Sequence, residues 1–205
     1  MLTLKILTTV FFVLGLTWVA EKVDIRLAGI LSGMPLGALL VFTFIGIEVS
    51  ENFVSKSAIY AIPAISSTLS FSLIYFFISQ KKIKFNPIFS TIGGITAYFL
   101  TAFVLRHFNF SIFSGLILAI LSILIANQLL KRASNKQILN PVIINRSQLL
   151  LRAFVSSFTV IGITEFSLLL GPEWSGLLVA FPITLLPFFV IIHVSYGYKY
   201  VQTII

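Results

Sequence analysis

Seven predominantly apolar stretches of about 17 to 21 residues run along the chain, at Leu4–Ala20, Leu27–Ile47, Ile59–Ile78, Pro87–Leu105, Phe110–Leu130, Ala153–Leu170 and Leu177–Tyr196. A hydrocarbon core of about 30 Å takes about 20 apolar residues of helix, so each stretch fits one crossing. Polar and turn-forming residues separate them, at 21–26, 52–57, 80–86, 106–109 and Gly171-Pro172-Glu173. The slightest separator is Arg106-His107-Phe108-Asn109, where a single long bent helix is the alternative. The pattern predicts an all-α integral membrane protein of about seven transmembrane helices, residues 1–205 forming one transmembrane domain.

Charge orients the spans. With the N-terminus outside and the C-terminus in the cytoplasm, Lys22, Arg26, Lys81, Lys82, Lys84, Lys131, Arg132, Lys136, Arg146, Arg152 and Lys199 fall on the cytoplasmic side, against Lys5, Lys56 and Arg106 outside. This 11-to-3 bias obeys the positive-inside rule. Fusing the two spans across Arg106–Asn109 would put the basic clusters Lys81–Lys84 and Lys131–Arg152 on opposite faces, so the charges favour the break. The one long connection, Lys131 to Arg152, carries Asn140-Pro141. Its first part, 131–146, is expected to be a cytoplasmic linker between repeat units 1–130 and 147–205.

The two units share a pattern. The second span opens Ala28-Gly29-Ile30-Leu31-Ser32-Gly33-Met34-Pro35-Leu36 and the seventh Ser175-Gly176-Leu177-Leu178-Val179-Ala180-Phe181-Pro182-Ile183. Each has a glycine six residues before a proline and a small residue two before it. An offset of five spans, an odd number, makes the copies run in opposite directions, an architecture of secondary transporters whose sites form where Gly/Pro-broken helices meet near the midplane. Gly33, Pro35, Pro182 and Thr184 are therefore candidate substrate-binding residues. The competing reading is close packing: Gly29, Gly33 and Gly37 form a small-residue face, as do Gly176 and Ala180, and carbonyls freed by the prolines are met by neighbouring hydroxyls.

Composition agrees with a lipid environment: 58% of residues are hydrophobic and 10% charged, with a mean hydropathy of +1.07. Without cysteine there is no disulfide framework or thiolate metal site, and two histidines far apart leave no transition-metal ligand set. The net charge of +8 lies in loops between apolar runs, which topology explains without nucleic acid. The N-terminal run to Ala20 lacks a good small-x-small cleavage site and reads as the first span rather than a signal peptide. No phosphate loop, His-Glu-x-x-His or serine triad occurs, so no enzyme and no cofactor is expected.

Ionisable groups inside spans are functional candidates because lipid penalises them. Three qualify: Glu48, Glu165 and His193. Glu165 lies roughly 7 Å below the outer end of its span at 1.5 Å per residue. It is read either as a group that carries a proton or binds a cation, or as an interfacial carboxylate hydrogen-bonded to Thr164, Ser167 or a neighbouring helix. Glu48, near Glu51, reads as a solvated helix end. His193, beside Ser195 and Tyr196, reads as a packing histidine or a proton relay.

The segment Leu170-Gly171-Pro172-Glu173-Trp174-Ser175-Gly176-Leu177-Leu178-Val179-Ala180-Phe181-Pro182, followed by an apolar helix to His193, resembles a motif of GlpM-like small bacterial membrane proteins and their larger, duplicated relatives, and Leu27 to Glu48 looks like its other half. The resemblance implies a bacterial inner-membrane protein and carries over no catalytic residue. A full five-plus-five duplication calls for three more spans, a departure from the family's pattern that tells against a self-contained transporter unless the protein forms a homodimer. The expected function is a small-solute permease or exporter with the bilayer and an unknown solute as partners, its site between the second and seventh spans and Glu165 as the coupling group. The alternatives are a non-transporting scaffold or accessory subunit, and a flippase holding an anionic headgroup at Lys131–Arg152.

Overall fold

The structure, a computed structural model, describes residues 2–22, 36–81, 85–131, 146–183 and 185–204. All secondary structure among these residues is helical: α1 (Leu2–Lys22), α2 (Leu36–Glu48), α3 (Glu51–Ala61), α4 (Ile65–Ser79), α5 (Asn86–Leu105), α6 (Ile112–Leu130), α7 (Arg146–Val179), α8 (Leu185–Tyr196) and a terminal 3-10 helix (Tyr198–Ile204). By length and composition α5 and α6 can each cross a membrane, and the pair α3 and α4, bent by 46° at Ile62-Pro63-Ala64, makes a third candidate. On α6 the buried positions are the small Gly115, Ala119 and Ala126. Most of its large residues, from Ile112 and Phe113 to Leu129, face outward, while Leu118 packs against the core. That inversion of size and burial suits a helix with lipid outside and a close-packed seam inside.

Helix ends follow local chemistry. The Ser50 hydroxyl accepts the Phe53 amide (3.2 Å), so α3 starts at Glu51 and runs through the 52–57 stretch that its polarity marks as a turn. Ser111 and Ser114 form a capping box that opens α6 after a non-helical stretch at 109–111, so the chain does break between α5 and α6. The break reverses direction. Gly93 lies against Ile78, and Asn86 bonds the Ser79 carbonyl, so α5 is antiparallel to α4. Gly115 lies against Ile62 and Pro63, and Ser66 bonds Ser122 (3.1 Å), so α6 is parallel to α4.

The chain also reverses at Gly171. With φ 84° and ψ 171° it leaves helical space inside α7, a conformation glycine adopts without a Cβ penalty, and Pro172 then starts the second arm. Val160 and Ile163 of the first arm and Val179 of the second pack in one apolar cluster with Leu40, Val41, Phe44 and Ile45 of α2. About 28 Å of straight helix would separate Val160 from Val179, so the arms fold back on one another.

The stretch 177–196, read from the sequence as one span broken by glycine and proline, is not one continuous helix. The second arm of α7 ends at Val179, the chain breaks at 180–183, and α8 begins at Leu185. The cause is Pro182, which cannot donate to the helical ladder. The broken line 172–196 runs parallel to the broken line α3–α4: Gly176 lies on Ser57, Thr68 bonds the Ala180 carbonyl (2.7 Å), Phe71 stacks on Phe189 (5.7 Å) and Tyr75 meets His193. The main core cluster, with Phe71, Tyr75, Tyr98, Leu177, Phe188, Phe189 and Ile192, fills the space between these lines and α5.

Two carbonyls beside the break at 180–183 are satisfied by side chains. Tyr98 of α5, fully buried, donates its hydroxyl to Leu177 O, and Thr68 serves Ala180 O. Tyr98→Phe leaves the Leu177 carbonyl without that donor, and a loss of about 1–3 kcal/mol is expected, read as a lowered thermal midpoint of the purified protein.

Candidate functional site

Among the described residues an ion cluster with a buried lysine at its centre joins three helices. Lys5, one turn into α1, is 1% exposed, and its Nζ lies 2.6 Å from Glu48 Oε2 and 2.9 Å from Glu165 Oε1. The two carboxylates sit at the end of α2 and on the first arm of α7, with side chains 21% and 61% exposed. One cation against two anions leaves the cluster with a formal charge of −1 and room for one proton or one further cation. Around it, Thr9 and Thr164 turn their hydroxyls back to their own helices, onto Lys5 O (2.7 Å) and Val160 O (2.9 Å), so they do not compete for the charged groups.

Two expectations change here. Glu48 is not a free solvated end, because it makes the shorter of the two ion pairs. Lys5, which sequence reasoning treated only as an outside cation, is the centre of the cluster. A lysine one turn into an otherwise apolar helix, with two carboxylates in other apolar helices, was the available signal.

The second feature is the meeting of α2 and α8. A β-carbon at Gly37 would stand 3.2 Å from Ile183 Cδ1, so the start of α2 lies against the residues that lead into α8. From this joint α2 runs to the ion cluster at Glu48, antiparallel to the second arm of α7. By contrast, α8 continues that arm's direction along α4 to His193 and Tyr75. On either side of the Gly37–Ile183 contact, α2 and α8 therefore run in opposite senses.

Of the residues singled out in the sequence, Glu165 belongs to the ion cluster, Pro182 to the break that feeds the joint, and His193 to the far end of α8. Gly33, Pro35 and Thr184 lie outside the described residues. His193 is buried, its Nδ1 is 3.2 Å from the Tyr75 hydroxyl, and the rings meet edge to face. It has no contact with the ion cluster. No protein-family model, curated protein or solved structure matches the chain. The chemistry of these residues is therefore what bears on function.

Sequence reasoning missed three serines. The hydroxyls of Ser67 on α4 and of Ser156 and Ser157 on α7 are buried with no hydrogen-bond partner among the described residues. Serine on a membrane helix commonly folds its hydroxyl onto the preceding turn, as Ser70 does onto Ser66 O at 2.9 Å and Ser72 onto Thr68 O at 3.0 Å. Nothing in the local sequence separates the two behaviours.

Proposed function

We propose that the protein is a permease or exporter for a small solute, spanning a bacterial inner membrane seven times with its N-terminus outside, and built on an inverted repeat. The observation that carries this reading is the contact of Gly37 on α2 with Ile183, beside the break at 180–183, with α2 and α8 running in opposite directions on either side of it. Discontinuous helices related by inversion are how transporters place backbone polarity at the midplane, where continuous helices would keep it internal. The 11-to-3 distribution of cations supports the orientation.

The Lys5–Glu48–Glu165 cluster is the coupling element in this reading. It lies at the outer end of α2, bridges α1, α2 and α7, and holds one more carboxylate than ammonium. Taking up a proton at Glu165, the more exposed carboxylate, frees Lys5 to pair with Glu48 alone and loosens the tie between α7 and the other two helices. Release of that proton restores the tie. Such a switch links proton occupancy to the relative position of two helices that flank the joint.

Glu165→Gln in proteoliposomes is the test. It keeps a hydrogen-bonding group of similar size and removes the charge, so solute flux driven by a pH gradient is expected to disappear while exchange without a gradient persists. Gradient-driven flux that is unchanged over a pH range sinks the coupling role. If the purified wild-type protein moves no solute under any gradient, the permease reading itself gives way to a scaffold or accessory subunit.

A further inference from the structure

We propose that Lys81, just after α4, and Lys199, in the terminal 3-10 helix, together hold the phosphodiester headgroup of an anionic phospholipid. The site needs the chain to lie in a bilayer. It does not depend on the permease reading, since a scaffold would hold the same lipid.

Two distant parts of the chain converge here. After α8, Gly197 turns the backbone with φ 92°, and the 3-10 helix folds back onto the bundle. Val201, fully buried in the main core cluster, anchors it. The Tyr198 carbonyl accepts the side-chain amide of Gln80, 118 residues away in sequence, at 3.3 Å. That bond brings the next residue of each strand of chain, Lys81 and Lys199, to one end of the bundle, and both side chains are exposed. Lys81 is also tied to the start of α5: the Asn86 side-chain amide donates to the Ser79 carbonyl (2.7 Å) and to the Lys81 carbonyl. Because α5 is long and apolar enough to cross a membrane, Lys81 stands at the level where a candidate span begins.

The charge at this end is uncompensated. Between Glu51 and Glu165, and again after Glu173, the sequence has no aspartate or glutamate. Neither α4, α5, α8 nor the 3-10 helix therefore brings an acidic side chain here, and the sequence between Lys81 and Phe85 adds only Lys82 and Lys84. Among the described residues neither Lys81 nor Lys199 has a carboxylate partner; both ion pairs belong to Lys5. The positive-inside rule accounts for lysines in a loop wherever they fall in it. It does not call for the docking that sets Lys199 beside the end of α4.

The class of ligand follows from the neighbours. Basic groups at the edge of the hydrocarbon attract anionic headgroups. Phe85, 63% exposed just before α5, and Tyr198, whose ring centre lies 5.9 Å from Lys199 Nζ, suit the boundary between headgroups and acyl chains. A soluble phosphate would gain nothing from these rings. A phospholipid offers a charge to the ammonium groups and chains to the rings.

The experiment titrates phosphatidylglycerol into the protein in a neutral detergent and reads the thermal midpoint, with phosphatidylcholine and soluble glycerol phosphate as parallel probes. Saturable stabilisation is expected from phosphatidylglycerol only. Lys81→Gln and Lys199→Gln should each raise the half-saturating lipid concentration about fivefold, and the double variant about 25-fold. Lys81→Arg with Lys199→Arg keeps both charges and should titrate like the wild type. Lys56→Gln, which removes an exposed charge from α3, should do so too. Each shift is taken from the same variant in detergent alone, so a changed starting midpoint does not disturb the comparison. Equal stabilisation by phosphatidylcholine or by glycerol phosphate overturns the site. So does a phosphatidylglycerol titration that is unchanged in the glutamine double variant, or one that Lys56→Gln weakens as much as Lys81→Gln.

Discussion

Gly176→Ala is expected to lower the stability of the protein by about 2–3 kcal/mol, or to block accumulation of folded protein, although it adds a single methyl group. The second arm of α7 crosses α3 at this residue. A β-carbon on Gly176 would collide with the Ser57 carbonyl oxygen and come within 2.9 Å of the Ser57 carbonyl carbon and 2.8 Å of Tyr60 Cβ. Two of these three obstacles are backbone, and a helix backbone moves only by moving its packing. Ser57 is itself fully buried and bonded back to Phe53 O (2.9 Å). Membrane helices gain from such contacts because dispersion and weak Cα–H···O bonds act where lipid supplies no hydrophobic drive. The matched control is Gly162→Ala on the first arm of α7, where an added β-carbon meets nothing within 4 Å. There the greater helix propensity of alanine should raise stability by about 0.5–1 kcal/mol. Thermal midpoints of both variants in one detergent decide the matter: equal values would mean that α3 and α7 do not cross at Gly176.

The collision at Gly176 also moves the weight of the small-residue pattern toward packing at that position, while Pro182, six residues on, breaks the helix. The same motif therefore serves close contact at its start and backbone interruption at its end. Apolar stretches read from the sequence locate most helices, and Gly171-Pro172 was legible as a turn because glycine and proline each act locally. Pro182 marked the interruption at 180–183 in the same way, but hydropathy shows neither that break nor the bend at Ile62-Pro63-Ala64, since apolar residues continue through both and hydropathy is blind to backbone direction. The start of α3 was misread for the opposite reason: Lys56 and Ser55 are exposed on a helix that Ser50 caps, and polarity alone looks like a loop. The ion cluster was beyond any local pattern. Lys5 and Glu165 are 160 residues apart, and only the packing of α1 against α7 brings them together. Of its three members, Glu165 was recognisable by its cost in lipid, Glu48 was set aside for its neighbour Glu51, and Lys5 was absorbed into a count of loop charges.

Replacing Lys5 by methionine is expected to be more damaging than replacing either of its partners, at a cost of about 3 kcal/mol. The substitution keeps the volume and flexibility of the side chain in a site that is 1% exposed, so packing changes little. What changes is the charge: Glu48 and Glu165 are left facing one another without the ammonium that both contact. The Glu48 side chain, 21% exposed, carries most of the penalty, whereas Glu165 at 61% recovers part of its solvation. Glu48→Gln should therefore cost more than Glu165→Gln. The decisive comparison is the triple variant Lys5→Met, Glu48→Gln, Glu165→Gln, in which no unpaired charge remains. If the lysine acts by neutralising the carboxylates, the triple variant regains most of the midpoint lost by Lys5→Met alone, because removing a whole buried ion cluster is often neutral whereas removing one member strands the others. A triple variant as unstable as Lys5→Met would show instead that the stem of Lys5 holds α1 in place by contact. Restored stability together with abolished gradient-driven flux would separate the two duties of the cluster, since the folded protein would then lack only the group that takes up the proton.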